Sequence, residues 1–200
     1  MVLQRPAVKR VTHSELRAMC VQLADRIRPF DPDLVVGIAT GGADVAEAIA
    51  QALGGRTVAI VKSQRPGTLI KQSRPVSRLL ASLPERVANL ARWFEVEYRE
   101  VAYYVHVRRH GSDQAEVQGR IVDRESLARA VAGAARVLVV DDTLDSGQTL
   151  RGVVDAVKDA NPQAQVRTAV IATTWRRPPV HPDYVLRPRL LLRLPGSFDA

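Results

Sequence analysis

Four apolar residues, Val137-Leu138-Val139-Val140, stop on two adjacent carboxylates, Asp141 and Asp142. The chain then passes through Thr143-Leu144-Asp145-Ser146-Gly147-Gln148-Thr149 into a stretch with Leu150, Val153, Val154 and Val157 at helical spacing. A short continuous apolar run reads as a strand buried on both faces, the kind found in parallel sheets covered by helices. The residues that follow such a strand stand at the carboxyl edge of the sheet, where open α/β sheets bind ligands. Neighbouring carboxylates repel, so Asp141 and Asp142 are costly side by side unless cations or hydroxyl donors engage them. Sugar hydroxyls and a hydrated Mg²⁺ would supply both. Residues 145–149 open the next helix, and a helix start offers free backbone N–H groups to an anion, with Gly147 allowing a close approach. The bland alternative is a strand–loop–helix corner capped by Asp145 or Ser146. A Walker loop is excluded, because no Gly-Lys-Ser/Thr follows a spaced glycine.

The rest of the chain repeats the strand–helix alternation. Thr12 and Glu15 have capping-box spacing, and Leu16, Met19, Cys20, Leu23 and Ile27 continue as a helical stripe ended by Pro29 and Pro32. Cys20 lies in that stripe and reads as a small core residue rather than a nucleophile. Leu34 to Ala39 is a second apolar strand, broken by Thr40-Gly41-Gly42. A helix with Val45, Ala46, Ile49, Ala50 and Leu53 follows and stops at Gly54-Gly55. Thr57 to Val61 is the next strand, which completes a parallel unit. Residues 62–75 read as a long polar loop, and 77–94 as a helix with Pro84 at a break or first turn. Val101 to Val107 reads as a strand, with Val117 to Val122 returning as its hairpin partner across His110-Gly111-Ser112-Asp113. His106 and His110 fall there and are given no role. A helix from Leu127 to Ala132, strands 136–140 and 166–173, a helix end at Asn161-Pro162 and a Pro- and Arg-rich tail complete the reading.

The chain has 200 residues, and neither repeats nor a linker divides it, so one domain over residues 1–200 is expected. Hydrophobic residues at 46% and charged residues at 25% suit a globular fold, not a disordered chain. No apolar run reaches the ~20 residues of a membrane span, and the N-terminus lacks the apolar core of a signal peptide. The single cysteine rules out an internal disulfide, which suggests a reducing, cytoplasmic setting. The net charge of +8 indicates an anionic partner, either nucleic acid or a phosphate-rich small molecule. Aromatics at 4%, with no aromatic RNA-binding motif, favour the small polyanion.

The segment Val137 to Thr149 resembles the phosphoribosyl pyrophosphate (PRPP) motif of the type I phosphoribosyltransferases. Residues 12–54 resemble the N-terminal part of the small purine (hypoxanthine, xanthine, guanine) members. Lys62-Ser63 matches the start of that family's mobile catalytic loop, with Gln64 where tyrosine is usual. Pro182-Asp183-Tyr184-Val185 resembles the segment whose aromatic ring stacks on the purine. The resemblance implies an α/β fold with a mostly parallel central sheet flanked by helices and a small hood from the termini. Residues 64–123 depart from it: far longer than the compact members need, they are expected to be an insertion carrying the mobile loop and forming a lid, a hood or a subunit contact. The resemblance also implies Mg²⁺-dependent transfer of a phosphoribosyl group from PRPP to a nitrogen acceptor, a purine-type nucleobase, with pyrophosphate leaving.

Carried over residue by residue, Asp141 and Asp142 hold the ribose and, through water, the metal. Asp145, Ser146, Gly147, Gln148 and Thr149 bind the 5′-phosphate. Thr40, Gly41, Gly42, Lys62 and Ser63 bind the diphosphate, and Tyr184, Val185 and Trp175 contact the base. Asp145 takes the general acid/base position, with a helix-cap role as its alternative. The lysine that purine members place after the last long strand is missing from Thr173-Thr174-Trp175-Arg176. That leaves open a non-purine acceptor of specialised metabolism, or a PRPP- or nucleotide-sensing regulator that binds nucleic acid. A homo-oligomer without membrane attachment is expected.

Overall fold

The computed structural model describes residues 7–64, 85–110 and 120–194. A six-stranded sheet forms from β2 (Leu34–Ala39), β3 (Thr57–Gln64), β4 (Arg120–Ile121), β5 (Arg136–Leu144), β6 (Gln165–Thr173) and β7 (Tyr184–Pro188), in the order β4-β3-β2-β5-β6-β7. All its pairings are parallel except β3 with β4. Its helices are α1 (His13–Ile27), α2 (Gly41–Ala52), α3 (Glu85–His110), α4 (Arg124–Val131) and α5 (Gln148–Ala160). A separate two-stranded parallel sheet joins β1 (Ala7–Arg10) to β8 (Leu190–Arg193), the hood expected from the two ends of the chain.

Strand alternation divides the core into two layers. Val35, Leu138, Val140, Ala169 and Ile171 pack with α1 and α2 on one face. Leu34, Val36, Ile38, Val137, Val139 and Val170 pack with α4 and α5 on the other. This is why β2 and β5 are continuously apolar: both faces are covered. Each fully buried Leu or Ile, such as Leu23, Ile49, Leu138 and Leu150, contributes about 1.5–3 kcal/mol of transfer free energy. At the start of α1, Thr12 Oγ1 accepts from the Glu15 N–H, and Glu15 Oε2 accepts from the Thr12 N–H at 2.9 Å, the expected capping box.

Several elements differ from the sequence reading. The segment 101–107 is not a strand but the second half of α3, a 26-residue helix. Its β-branched and aromatic residues favour a strand locally, yet Val96, Glu100, Tyr103 and Val107 recur at helical spacing along the covered side. The expected hairpin is therefore absent, and β4 pairs with β3 instead, Ser63 opposite Ile121. The 111–113 turn, Pro84 and the helix start at 77–84 lie outside the described residues, as do 65–75. β3 continues to Gln64, so Lys62 and Ser63 are strand residues rather than loop. β5 continues to Leu144, and Gly41 and Gly42 form the first turn of α2 instead of a preceding loop.

The cap expected at Asp145 or Ser146 is also corrected. The N-cap of α5 is Gly147, at φ 82°, which has no side chain to cap the helix; Ser146 Oγ, one residue earlier, accepts a long bond from the Gln148 N–H at 3.5 Å. A Cβ on Gly147 would lie 2.5 Å from Val180 Cβ, so glycine is required there by the fold itself. Gly147→Val is expected to destabilise by more than the about 1–2 kcal/mol of the left-handed conformation alone, visible as a lowered denaturant midpoint without ligand.

Cys20 is fully buried in the layer of α1 and α2. Burial, and secondly the Asp44 charge, push its thiol up to about 11 from an ordinary 9.0. The folded state thus holds this proton more tightly than the unfolded chain. The associated stability is fully present below pH 9 and is lost as pH rises toward 11. A thiol reagent at pH 8 is expected to label Cys20 only at the rate of unfolding, and fast labelling of folded protein would contradict this placement.

Candidate functional site

The strand order reverses between β2 and β5: the chain moves outward from β2 to β3 on one side, and from β5 to β6 and β7 on the other. Such a switch point leaves a crevice at the carboxyl ends of the two central strands. Here β2 runs into α2 and β5 runs toward α5. A Cβ on Gly41 would fall 2.1 Å from Asp142 Oδ2, and one on Gly42 would fall 3.0 Å from both Asp141 Cα and Asp141 Oδ1. The Thr40-Gly41-Gly42 segment and the acid pair, a hundred residues apart in sequence, therefore touch. The Ala39–Thr40 peptide is cis.

The acid pair is held by its own backbone. Asp141 is 6% exposed and its Oδ1 accepts from the Asp142 N–H at 3.0 Å. Asp142 Oδ1 accepts from the Thr143 N–H at 2.7 Å. On either side of the pair stands a helix start without a side-chain cap, α2 at Thr40 and α5 at Gly147. By contrast, α1 and α4 are capped by Thr12 and Asp123. At the start of α5 the Gln148 N–H makes only a long, 3.5 Å bond to Ser146 Oγ, and helix starts of this kind are matched to anions. Lys62 pairs in register with Ala39, one residue before Thr40, and is exposed. The neighbouring Ser63 Oγ is buried without a partner.

Asp145 lies just past β5 and is engaged on both oxygens. Thr174 Oγ1 donates to its Oδ1, and Arg99 Nη1 of α3 lies 2.9 Å from its Oδ2. More of α3 converges here. The Tyr103 hydroxyl accepts from Gln148 Nε2 at 3.3 Å, and the Tyr103 ring lies 5.4 Å from that of Trp175, which is 4% exposed. The buried Glu100 carboxylate accepts from the Arg176 and Arg177 N–H groups, each at 3.1 Å. Glu97 bridges Arg176 and Arg189. The Tyr104 hydroxyl donates to the Arg177 carbonyl; burial, then the Glu100 charge, pushes its pKa up and keeps it a donor.

The structure thus gathers Thr40, Gly41, Gly42, Asp141 and Asp142, then Asp145 to Thr149 with Trp175, at one sheet edge. It does not bring Tyr184 and Val185 to Asp145. Both lie within β7, two strands from β5, with Tyr184 opposite Ala169 and Val185 opposite Val170. The Tyr184 ring packs against the α1–α2 layer with the Arg167 guanidinium 6.0 Å away, and Arg26 donates to the Val185 carbonyl. The β6–β7 register, rather than their motif, sets where these two residues stand. Arg99, Glu100 and Tyr103 have no role in the sequence reading: Tyr103 falls in the strand expected at 101–107, and Arg99 and Glu100 lie just before it, in a stretch with no assigned element. The recurrence of Val96, Glu100, Tyr103 and Val107 was the available signal.

Two carboxylates are too few to cage a metal, and among the described residues no cluster of three or more His, Cys, Asp or Glu could hold one. The pair does suit a Mg²⁺ that keeps its waters and takes its other ligands from substrate phosphates. No helix among the described residues is long and apolar enough to cross a membrane.

Comparison with known proteins agrees with this architecture. The chain is 30% identical over 139 residues to an adenine phosphoribosyltransferase from Prochlorococcus marinus (strain MIT 9303), covering 70% of this chain and 58% of that protein. It is 36% identical over 61 residues to the bifunctional protein PyrR of Pediococcus pentosaceus, covering 30% of this chain and 34% of that one. The chain therefore spans less than two thirds of either relative. A purine phosphoribosyltransferase from Pyrococcus horikoshii Ot3 shares the fold at TM-score 0.57 and 18% identity, covering 94% of this chain and 92% of that one. A xanthine-guanine-hypoxanthine phosphoribosyltransferase from Helicobacter pylori does so at TM-score 0.58 and 12% identity, covering 94% and 90%. With residues 12–187 matching the phosphoribosyl transferase domain, the switch-point crevice and its acid pair sit in a chain that belongs to that family.

Proposed function

We propose that this chain transfers a 5-phosphoribosyl group from PRPP to the nitrogen of a purine-type base and releases pyrophosphate. The observation that carries the reading is the pair of uncapped helix starts flanking Asp141 and Asp142, with Gly41 and Gly42 leaving no room for a side chain against the acids. An anion at each helix start and a hydroxylated sugar between them match PRPP, which has a diphosphate at one end and a phosphate at the other.

In this reading Thr40, Gly41 and Gly42 hold the diphosphate, with Lys62 and Ser63 beside them. Asp141 and Asp142 accept from the ribose hydroxyls. Residues 145–149 hold the 5′-phosphate at the start of α5, through backbone N–H groups and the Ser146 and Thr149 hydroxyls. Mg²⁺, when bound through Asp141 and Asp142 and their waters, supplies neutralisation of the leaving diphosphate. The protein mainly positions the reactants, and its carboxylates favour the positive charge that develops on the ribose ring. Asp145 receives the proton that the acceptor nitrogen loses, a contribution of typically 10²–10⁴-fold. The +8 charge favours a second reading, a PRPP-binding regulator that engages nucleic acid.

PRPP with Mg²⁺ is expected to raise the melting temperature, corresponding to about 2.7 kcal/mol at a hundredfold excess over Kd. Asp141→Asn combined with Asp142→Asn is expected to remove that shift and leave the ligand-free protein folded; a persisting shift sinks the ribose assignment. Pyrophosphate release on adding a base supports the enzyme. Salt-sensitive retention of RNA without pyrophosphate release supports the regulator.

Self-association also has a candidate surface. Val87, Leu90, Phe94, Tyr98, Val101 and Val105 form an exposed stripe along α3, opposite the side that meets Trp175. Arg108 and Arg109 are exposed in its last turn, so antiparallel pairing of two copies keeps these cationic ends apart. Tyr98→Glu with Val101→Glu is expected to convert a dimer to a monomer in sedimentation. A wild-type chain that stays monomeric at tens of micromolar rules the surface out.

A further inference from the structure

We propose that residues 174–180 form a strap that fixes the phosphate cradle from outside, and that Glu100 of α3 is the positioning residue that anchors this strap. The proposal rests on the phosphoribosyl-transfer reading and deepens it, by naming residues that set affinity for the 5′-phosphate without touching it. Residues 144–147 lead from β5 into α5, and two residues of the later segment hold them. The Thr174 N–H donates to the Leu144 carbonyl at 2.9 Å, and its hydroxyl donates to Asp145 Oδ1. The Val180 N–H donates to the Ser146 carbonyl at 3.3 Å. The Val180 side chain also lies against Gly147, where a Cβ would come within 2.5 Å of it. These three bonds end on carbonyls and a carboxylate. They use none of the N–H groups that a phosphate at the start of α5 needs.

Between Thr174 and Val180 the chain has little freedom. Trp175 and Pro178 are buried, and the ring of each residue in Pro178-Pro179 fixes its own φ. The direction of this segment is set by Glu100, which is buried. Both its carboxylate oxygens accept from the Arg176 N–H at 3.1 Å, and Oε1 also accepts from the Arg177 N–H at 3.1 Å. Tyr104, one turn further along α3, donates to the Arg177 carbonyl. Burying a carboxylate is costly unless hydrogen bonds compensate it, and bonds to an ionised acceptor are about twice as strong as neutral ones. Glu100 therefore holds two successive peptide units in one orientation, three residues before Val180. Without it, Val180 is free to shift, and the Ser146 carbonyl and Gly147 shift with it. A binding constellation has to be held to within about 0.5 Å to keep its affinity.

The start of α2 stands apart from this chain of contacts. The atoms that a Cβ at Gly41 or Gly42 would meet belong to Val140, Asp141, Asp142 and Leu194. The two ends of the crevice are thus supported separately, and loss of the strap is felt at one end only.

The test titrates ribose 5-phosphate and pyrophosphate, each with Mg²⁺, into the wild type, Glu100→Ala, Glu100→Gln and Val180→Ala by calorimetry. Glu100→Ala is expected to weaken ribose 5-phosphate by about 3- to 30-fold and to leave pyrophosphate within about twofold. Glu100→Gln, which keeps one oxygen acceptor, is expected to recover part of the loss. Val180→Ala keeps the backbone donor and trims only the contact on Gly147. It is expected to show the same split at smaller size, and it carries the test if Glu100→Ala does not fold. In ligand-free Glu100→Ala, amide hydrogen exchange is expected to quicken at residues 145–149 and to stay unchanged at residues 40–42. An equal loss on both ligands overturns the proposal, as does unchanged ribose 5-phosphate affinity in folded Glu100→Ala; either result makes Glu100 a structural contact alone. Absence of any PRPP-induced melting shift in the wild type overturns the underlying transfer reading instead.

Discussion

The close approach of α2 to the end of β5 is the constraint on which the rest of the site depends. β2 and β5 are neighbours in register, Gly37 opposite Val140, so the turn leaving one strand and the acids ending the other must share the same few ångströms. Only glycine permits this at residue 41, where the space for a side chain is already filled by the Asp142 carboxylate. The contact sets a helix start directly against two carboxylates. That juxtaposition is poor for an isolated protein, because it crowds anionic groups and leaves helix donors uncapped. It is well suited to a ligand that is itself anionic at its ends and hydroxylated in the middle. The local conflict with folding rules falls where function is expected to override them.

The second organising feature is α3, which reaches the site through charge and hydrogen bonding rather than through a large apolar face. Glu100 is buried because it accepts from two consecutive backbone N–H groups after β6, which offsets its desolvation. Glu97 joins two arginines from separate parts of the chain, Arg176 just after β6 and Arg189 between β7 and β8. These contacts fix where Arg99 and Tyr103 sit relative to Asp145 and Gln148. In the proposed transfer reading, α3 would face the acceptor, while the phosphates would meet the central sheet and the starts of α2 and α5.

Residues Val137 to Thr149 carried most of what was legible beforehand. A four-residue apolar run stopping on two acids has few interpretations: the run must be covered on both faces, and the acids must then sit at a strand end. The capping box at Thr12, the stripe containing Cys20 and the strand at 34–39 were readable for the same reason, since each is governed by neighbours a few residues away. The stretch 101–107 was not, because Val101-Ala102-Tyr103-Tyr104-Val105 has the composition of a strand and a helix is chosen only when Glu100 and Tyr103 find Arg176 and Trp175.

The sequence by itself determined the layered α/β class, the switch from apolar strand to paired acids, and a helix opening within a few residues of them, since all follow from spacing and residue type along one short segment. Tertiary structure alone decided that Gly147 answers to Val180, and that Asp145 is held by Thr174 and Arg99 instead of capping a helix. Those outcomes depend on contacts between residues 29 to 46 positions apart. Such partners are chosen by how strands and helices pack, and no local pattern encodes that choice.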